Sequence, residues 1–309
     1  MKTLSLILAV LVPLTTHALD DIVLPPGFVI EEYADVPNAR SLALGDNGTL
    51  FVSNRKGRSV YAVVAEDGGT RTIELTKGMN APNGIAVHNG DLYVAEIDRV
   101  TRYADIESSL ESPPEPEVLD IELPSERHHG WRYIGFGPDD KLYISIGAPC
   151  NVCDKDGYAE IVRMNPDGSA RETFASGIRN SVGFTWHPET GEMWFTDNGR
   201  DMLGDDVPHE ELNELVEEGA HFGFPFEHAG PIRDPKFGRD AADRKFQQPR
   251  LNIQAHSAAL GISFADQLTL GGGYGDALFI AEHGSWNRSS KVGYQVSIAR
   301  FTGDGLEYA

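Results

Sequence analysis

Two adjacent histidines open the segment His128-His129-Gly130-Trp131-Arg132, just ahead of the turn Gly137-Pro138-Asp139-Asp140. A neutral imidazole takes a proton readily near neutral pH, so a histidine leading into a strand is a candidate general base. A surface or core pair fits the same two residues. Farther along stands Gly177-Ile178-Arg179-Asn180, followed by Gly183-Phe184-Thr185-Trp186-His187-Pro188. The glycines allow close approach of a ligand, and Arg179 offers a planar fork to a carboxylate. Next comes Asn198-Gly199-Arg200-Asp201-Met202-Leu203-Gly204-Asp205-Asp206, with Glu210 and Glu211 beyond it. Clustered carboxylates on a glycine-kinked backbone supply the hard oxygens that calcium prefers. The spacing is not that of an EF-hand, and a solvated acidic loop fits the composition equally well. The last cluster is His283-Gly284-Ser285-Trp286-Asn287-Arg288. Trp286 can stack on a flat ring and Arg288 can pair with an anion, whereas no nucleophile elbow surrounds Ser285.

These residues sit at corresponding points of a repeat. A turn rich in Gly, Asn or Asp leads into a short strand of alternating apolar residues at 45–53, 88–96, 137–145, 187–196 and 272–282. Hairpins recurring every ~40–50 residues are the mark of propeller blades, each a four-stranded sheet. The wider gap before the fifth copy predicts an insertion at about 201–249, in which Glu210–Glu218 could form a short helix. The segment 27–33 is predicted to be a strand completing a last blade, and 301–308 an outer strand of the fifth. Five blades can close on themselves, or a closing blade can be missing; the second reading makes the chain a piece of a longer one.

Bulk properties narrow the function. The chain carries 47 acidic against 26 basic residues, a formal net charge of −21. That argues against nucleic acid and against anionic lipid as partners. Lys2, the apolar run 4–12 and the small residue Ala18 have the layout of an export signal over residues 1–18, too short to span a bilayer. A single propeller domain is then expected over 19–309, in a periplasm or outside the cell. The two cysteines, Cys150 and Cys153, are expected to form a local disulfide there. Zinc lacks further ligands at finger-like spacing.

Taken in order, His129-Gly-Trp-Arg, the turn at Gly137, Cys150-Asn-Val-Cys153, Gly177-Ile-Arg-Asn180, Gly183-Phe-Thr-Trp-His-Pro188, Asn198-Gly-Arg-Asp-Met-Leu-Gly-Asp-Asp206 and His283-Gly-Ser-Trp-Asn-Arg288 resemble the glucose/sorbosone dehydrogenase family, in its sorbosone dehydrogenase branch. The likeness covers most of the chain. It implies an all-β, six-bladed propeller, here lacking its last blade, that binds pyrroloquinoline quinone (PQQ) and calcium and oxidises an aldose, a sorbosone-like sugar or a related aldehyde. It implies His129 as the catalytic base, Arg179 and Asn180 at the cofactor, and the carbonyls of Gly199 and Arg200 on calcium. Asp206 is expected to support the calcium, and Arg132, Trp286 and Arg288 to contact the cofactor. Electrons then leave to a separate acceptor. Asp140 departs from the family's usual glycine, Glu210 from its usual aspartate, and Arg200 from the proline of the glucose-oxidising branch.

Two other classes use the same scaffold. A calcium-dependent lactonase would hydrolyse lactones without a quinone, and a non-catalytic binding module would do neither.

Overall fold

The computed structural model describes residues 18–241, 244–265, 274–275, 277–303 and 305–309. Residues 1–17 of the expected export signal and part of the fifth repeat turn lie outside that set. Five four-stranded antiparallel sheets follow one another along the chain. Blade one comprises Leu42–Leu44, Leu50–Asn54, Ser59–Glu66 and Gly69–Thr76, and blade two Ile85–His88, Asp91–Ala95, Val100–Tyr103 and Glu117–Val118. Blade three runs Ile134–Phe136, Leu142–Ile146, Glu160–Met164 and Glu172–Ser176. Blade four runs Phe184–Trp186, Met193–Asp197, Glu210–Glu214 and Leu251–Ile253, and blade five Ala259–Phe264, Ala277–Glu282, Gln295–Thr302 and Gly305–Tyr308. The all-β propeller expected from the repeat is thus present, with five blades among the described residues.

The turns explain why each strand reverses where it does. Asn89 and Gly90 both take positive φ, 51° and 81°, which a two-residue hairpin between twisted strands requires. Asp140 occupies the left-handed region at φ 58°, which a short polar side chain tolerates, so the turn forms without glycine.

Apolar clusters join consecutive blades. Phe51, Val60 and Ala62 of blade one pack with Ile85, Leu92 and Val94 of blade two. Ala86, Tyr93 and Ala95 meet Ile134, Leu142 and Ile144. Tyr143 and Ile161 meet Phe184, Met193 and Phe195, and Trp194 and Leu212 meet Ile262, Leu278 and Ile280. Full burial of each Val, Leu, Ile, Phe or Met among them contributes about 1.5–3 kcal/mol. Around the axis the innermost strands approach closely enough to demand glycine. Gly84 donates its N–H to the Arg132 carbonyl at 2.8 Å, and a Cβ on Gly183 would lie 2.0 Å from the Leu260 carbonyl oxygen.

No comparable cluster joins blade five to blade one among the described residues. Leu42 and Leu44 of blade one are 61% and 69% exposed, and Val296 of blade five 67%. Among the described residues no strand pairing closes the ring there, and Phe28, ahead of blade one, meets Tyr274 of the blade-five turn edge-on at 5.2 Å. The expected strand at 27–33 does not form; its backbone is irregular and its residues are mostly exposed. With no neighbouring strand, its N–H and C=O groups have no ladder to enter.

The insertion differs from expectation too. Glu210–Glu214 is the third strand of blade four, pairing with Met193–Asp197 on one side and Leu251–Ile253 on the other. Acidic composition suggests a solvated helix, but the segment is held between two strands, with Glu211 to Glu214 paired on one side and Glu210 to Leu212 on the other. The excursions are therefore two: a loop at 198–209, and a segment at 215–250 carrying the hairpin Glu227–His228 with Ile232–Arg233. Among the described residues no helix is long and apolar enough to cross a membrane.

Candidate functional site

Antiparallel strands alternate direction, so the segments entering each innermost strand and the links from second to third strand open on one face. His129 precedes blade three, and Arg179 and Asn180 precede blade four. The disulfide loop at 148–155 links two strands of blade three, 198–209 links two of blade four, and 283–294 links two of blade five. The topology therefore gathers the candidate residues at one end of the axis.

His129 sits at φ 48° with its Nδ1 2.7 Å from the Ala148 carbonyl. A carbonyl only accepts, so Nδ1 carries the proton and Nε2 keeps a free lone pair. Burial, then the positive charge of Arg179, then His128 push the imidazole down to about 3. The ring is neutral at any working pH. His128 is exposed, its ring 4.1 Å from that of His129. Gly147 lies between the base and blade four: a Cβ there would meet His129 Cβ at 2.7 Å and Asn180 Oδ1 at 2.9 Å. The missing side chain is what lets His129 and Asn180 share one space.

Arg179 is buried and fully engaged. Its Nε donates to the Asn151 carbonyl at 2.9 Å, Nη1 to the Asn198 carbonyl at 3.0 Å, and Nη2 to Asn151 Oδ1 at 2.9 Å and Asp201 Oδ2 at 3.2 Å. It holds the site's loops together and positions their backbone. Cys150 and Cys153 are disulfide-bonded, as expected. The loop they close presents Asn151, which also accepts from the Asp201 N–H at 2.9 Å. Sequence reasoning passed over Asn151; a polar residue held between two bonded cysteines was the available signal.

The Gly199–Arg200 backbone lies in the loop that follows the second strand of blade four. Neither carbonyl accepts a hydrogen bond from the described residues. The Gly199 N–H donates to Glu210 Oε2 at 2.5 Å. Asp197 and Glu211 face each other across the blade-four ladder, and Asp197 accepts from the backbone N–H groups of Asn180 at 2.6 Å and Arg179 at 2.8 Å. Burial raises all three carboxyls, Glu210 to about 7, with Glu211 raising Asp197 further. Unpaired carbonyls beside buried acids suit a hard cation. Glu210, rather than Asp206, is the carboxylate that holds this backbone. Asp206 is exposed instead and pairs with Arg288 at 3.0 Å, because the loop turns it outward.

Arg288 ties the loop of blade five to Asp205 and Asp206, with a longer contact to the Ala255 carbonyl. Asn287 donates to Asp201 at 2.7 Å. Trp286 is 68% exposed, its ring open for stacking. Arg132 does not reach the site. It is buried, its Nε and Nη2 directed to the carbonyls of Ile97 and Pro124, because the chain entering blade three turns it into the seam with blade two.

Residues 233–308 match the family model TrAA12-like. Among curated proteins the chain is 32% identical to an uncharacterized protein of Borreliella burgdorferi, covering 88% of this chain and 75% of that one. It is 23% identical to a pyrroloquinoline quinone-dependent sugar dehydrogenase of Hypocrea jecorina, covering 80% and 69%. Among solved structures, the calcium structure of the Trichoderma reesei family AA12 enzyme superposes with a TM-score of 0.73 at 21% identity, covering 87% of this chain and 79% of that one. The holo PQQ domain of the Coprinopsis cinerea pyranose dehydrogenase gives 0.72 at 19%, covering 88% and 78%. The PQQ-bound aldose sugar dehydrogenase of Streptomyces coelicolor gives 0.68 at 19%, covering 91% and 84%.

Proposed function

The chain belongs to the AA12-like propeller family of soluble PQQ-dependent sugar dehydrogenases, and from that premise we propose that it oxidises an aldose, a sorbosone-like sugar or a related aldehyde or alcohol, with calcium and PQQ as cofactors. The observation that carries this reading is the state of His129. Its Nδ1 proton is fixed on Ala148, its ring is neutral, and Gly147 opens the space it shares with Asn180. That is the arrangement of a base waiting for a hydroxyl proton at Nε2.

The remaining residues hold and exclude. The carbonyls of Gly199 and Arg200 would ligate calcium, with Glu210 fixing Gly199 from behind. Asn180, Trp286 and Arg288 would contact the quinone, Trp286 through its open ring face. Arg179 keeps its four contacts and sets where those groups stand. When bound, the quinone supplies a two-electron acceptor for hydride and calcium a Lewis acid. His129 removes the hydroxyl proton of the substrate through the free lone pair of Nε2. The expected export to a periplasm or the extracellular space accords with the disulfide.

The test is reconstitution. Purified chain titrated with PQQ in the presence of calcium should give a saturable absorbance change and then reduce an artificial dye with one or more sugars. Lactone hydrolysis without added quinone would instead favour a hydrolase.

A further inference from the structure

Arg40 enters blade one and Arg55 follows its second strand, so both lie on the face that carries His129. They converge on one indole. The Arg55 guanidinium carbon is 3.6 Å from the centroid of Trp131, and that of Arg40 5.8 Å from the same ring. Trp131 is two residues beyond His129, a separation of at most about 7.6 Å along the chain.

Neither arginine has a carboxylate partner among the described residues. Arg40 reaches only Asn83 Oδ1, at 3.4 Å, and Nη1 of Arg55 is buried without an acceptor. Arg179, Arg200 and Arg288 each pair with an aspartate instead, whereas Arg132, next to Trp131, also lacks a carboxylate and spends two of its nitrogens on the carbonyls of Ile97 and Pro124. Burial and the charge of Arg55 push Arg40 down to about 10. Two desolvated like charges side by side are costly, and a bound anion offsets both costs. A stack that merely fastened Trp131 would need one arginine and no buried, unpaired N–H. Arg40 also lines a cavity of about 480 Å³ together with Tyr133, Val182, Leu260 and His283, at the open side of the ring. That volume falls within the range of small-molecule sites, roughly 300–1,000 Å³.

We propose that Arg40 and Arg55, gathered on Trp131, form an anion subsite that holds the carboxylate of an acidic sugar, a uronate, beside His129. The inference rests on the sugar-oxidising reading and narrows its substrate class. The carboxylate takes the unpaired donors of the two guanidinium groups, and the indole fixes them in place.

The experiment is calorimetric binding of sodium glucuronate, its uncharged methyl ester and glucose to the full chain loaded with calcium, with and without PQQ. Glucuronate is expected to bind at least about tenfold more tightly than either neutral sugar. The preference should shrink below about twofold in R40Q/R55Q and return in part in R55K. Near-UV circular dichroism of each variant checks that Trp131 stays packed. An unchanged preference in R40Q/R55Q and in the single R55Q variant overturns the proposal. So does a loss of PQQ affinity in those variants while the preference for glucuronate is kept, since the pair would then serve the cofactor. Dye reduction is followed in parallel. If no sugar reduces the dye yet the calorimetric preference holds and needs the arginines, the oxidation reading falls and the anion subsite stands.

Discussion

His129 and His128 are neighbours with opposite circumstances. One is enclosed and hydrogen-bonded through Nδ1; the other is exposed. Replacing His128 by Ala should leave turnover within a few-fold of the parent, and a loss matching that of a His129 variant would contradict the assignment. The depressed imidazole also has a consequence for stability. Folding lowers the His129 pKa from about 6.5 to about 3, so between those values the unfolded chain binds the extra proton. Stability from this group is full above pH 6.5 and is lost as pH falls toward 3. Urea midpoints should therefore drop less steeply from pH 6.5 to 4 in His129→Gln than in the parent; parallel curves would contradict this. His129 was legible as a candidate base from its place before the Gly137 turn. The fate of Arg132 was not, because residue type does not tell which way a side chain turns at a blade seam.

At the scale of elements, the site is two loops fastened by Arg179. The disulfide loop supplies Asn151, and the loop at 198–209 supplies Gly199 to Asp201. Removing Cys150 and Cys153 together should lower stability by an amount toward the small end of the ~2–4 kcal/mol typical of disulfides, since the closed loop is short. It should also depress activity as Asn151→Ala does, because both changes loosen Arg179. A double Ser variant with full activity would show that Asn151 holds its place unaided. Chelation of calcium should abolish dye reduction and lower the melting temperature, as loss of any ligand bound only to the folded state does. Activity that persists after long incubation in excess chelator would remove calcium from the account. The loop at 198–209 was legible as an acidic, glycine-kinked stretch. The buried strand Glu210–Glu214 was not, because its acidic residues are inside, held by the N–H groups of Gly199, Ala229 and Ala258, and composition alone points such residues outward.

At the scale of the whole molecule, repeat spacing made the blades legible, since each hairpin turn and its alternating strand recur. The closure of the ring was not fixed by that pattern. The structure leaves Leu42 and Leu44 of blade one and Val296 of blade five exposed at the opening. Exposed apolar sheet faces favour association. The 309-residue chain should bind a hydrophobic dye strongly and associate as its concentration rises in light-scattering chromatography. A monodisperse monomer with weak dye binding would mean that the opening closes in solution. The acidic net charge, read at first as a solvated coat, also makes the unpaired Arg40 and Arg55 stand out, a contrast visible only once their neighbours are known.

The most direct measurement is a single-turnover experiment. The chain, loaded with calcium and PQQ, is mixed with a sugar that it oxidises, and the absorbance of the quinone is followed in the parent and in His129→Ala. The account predicts stoichiometric reduction in the parent and a rate lowered by at least about 100-fold in the variant, with PQQ affinity little changed. Failure of the parent to bind PQQ with calcium, or reduction at an undiminished rate without His129, would contradict it.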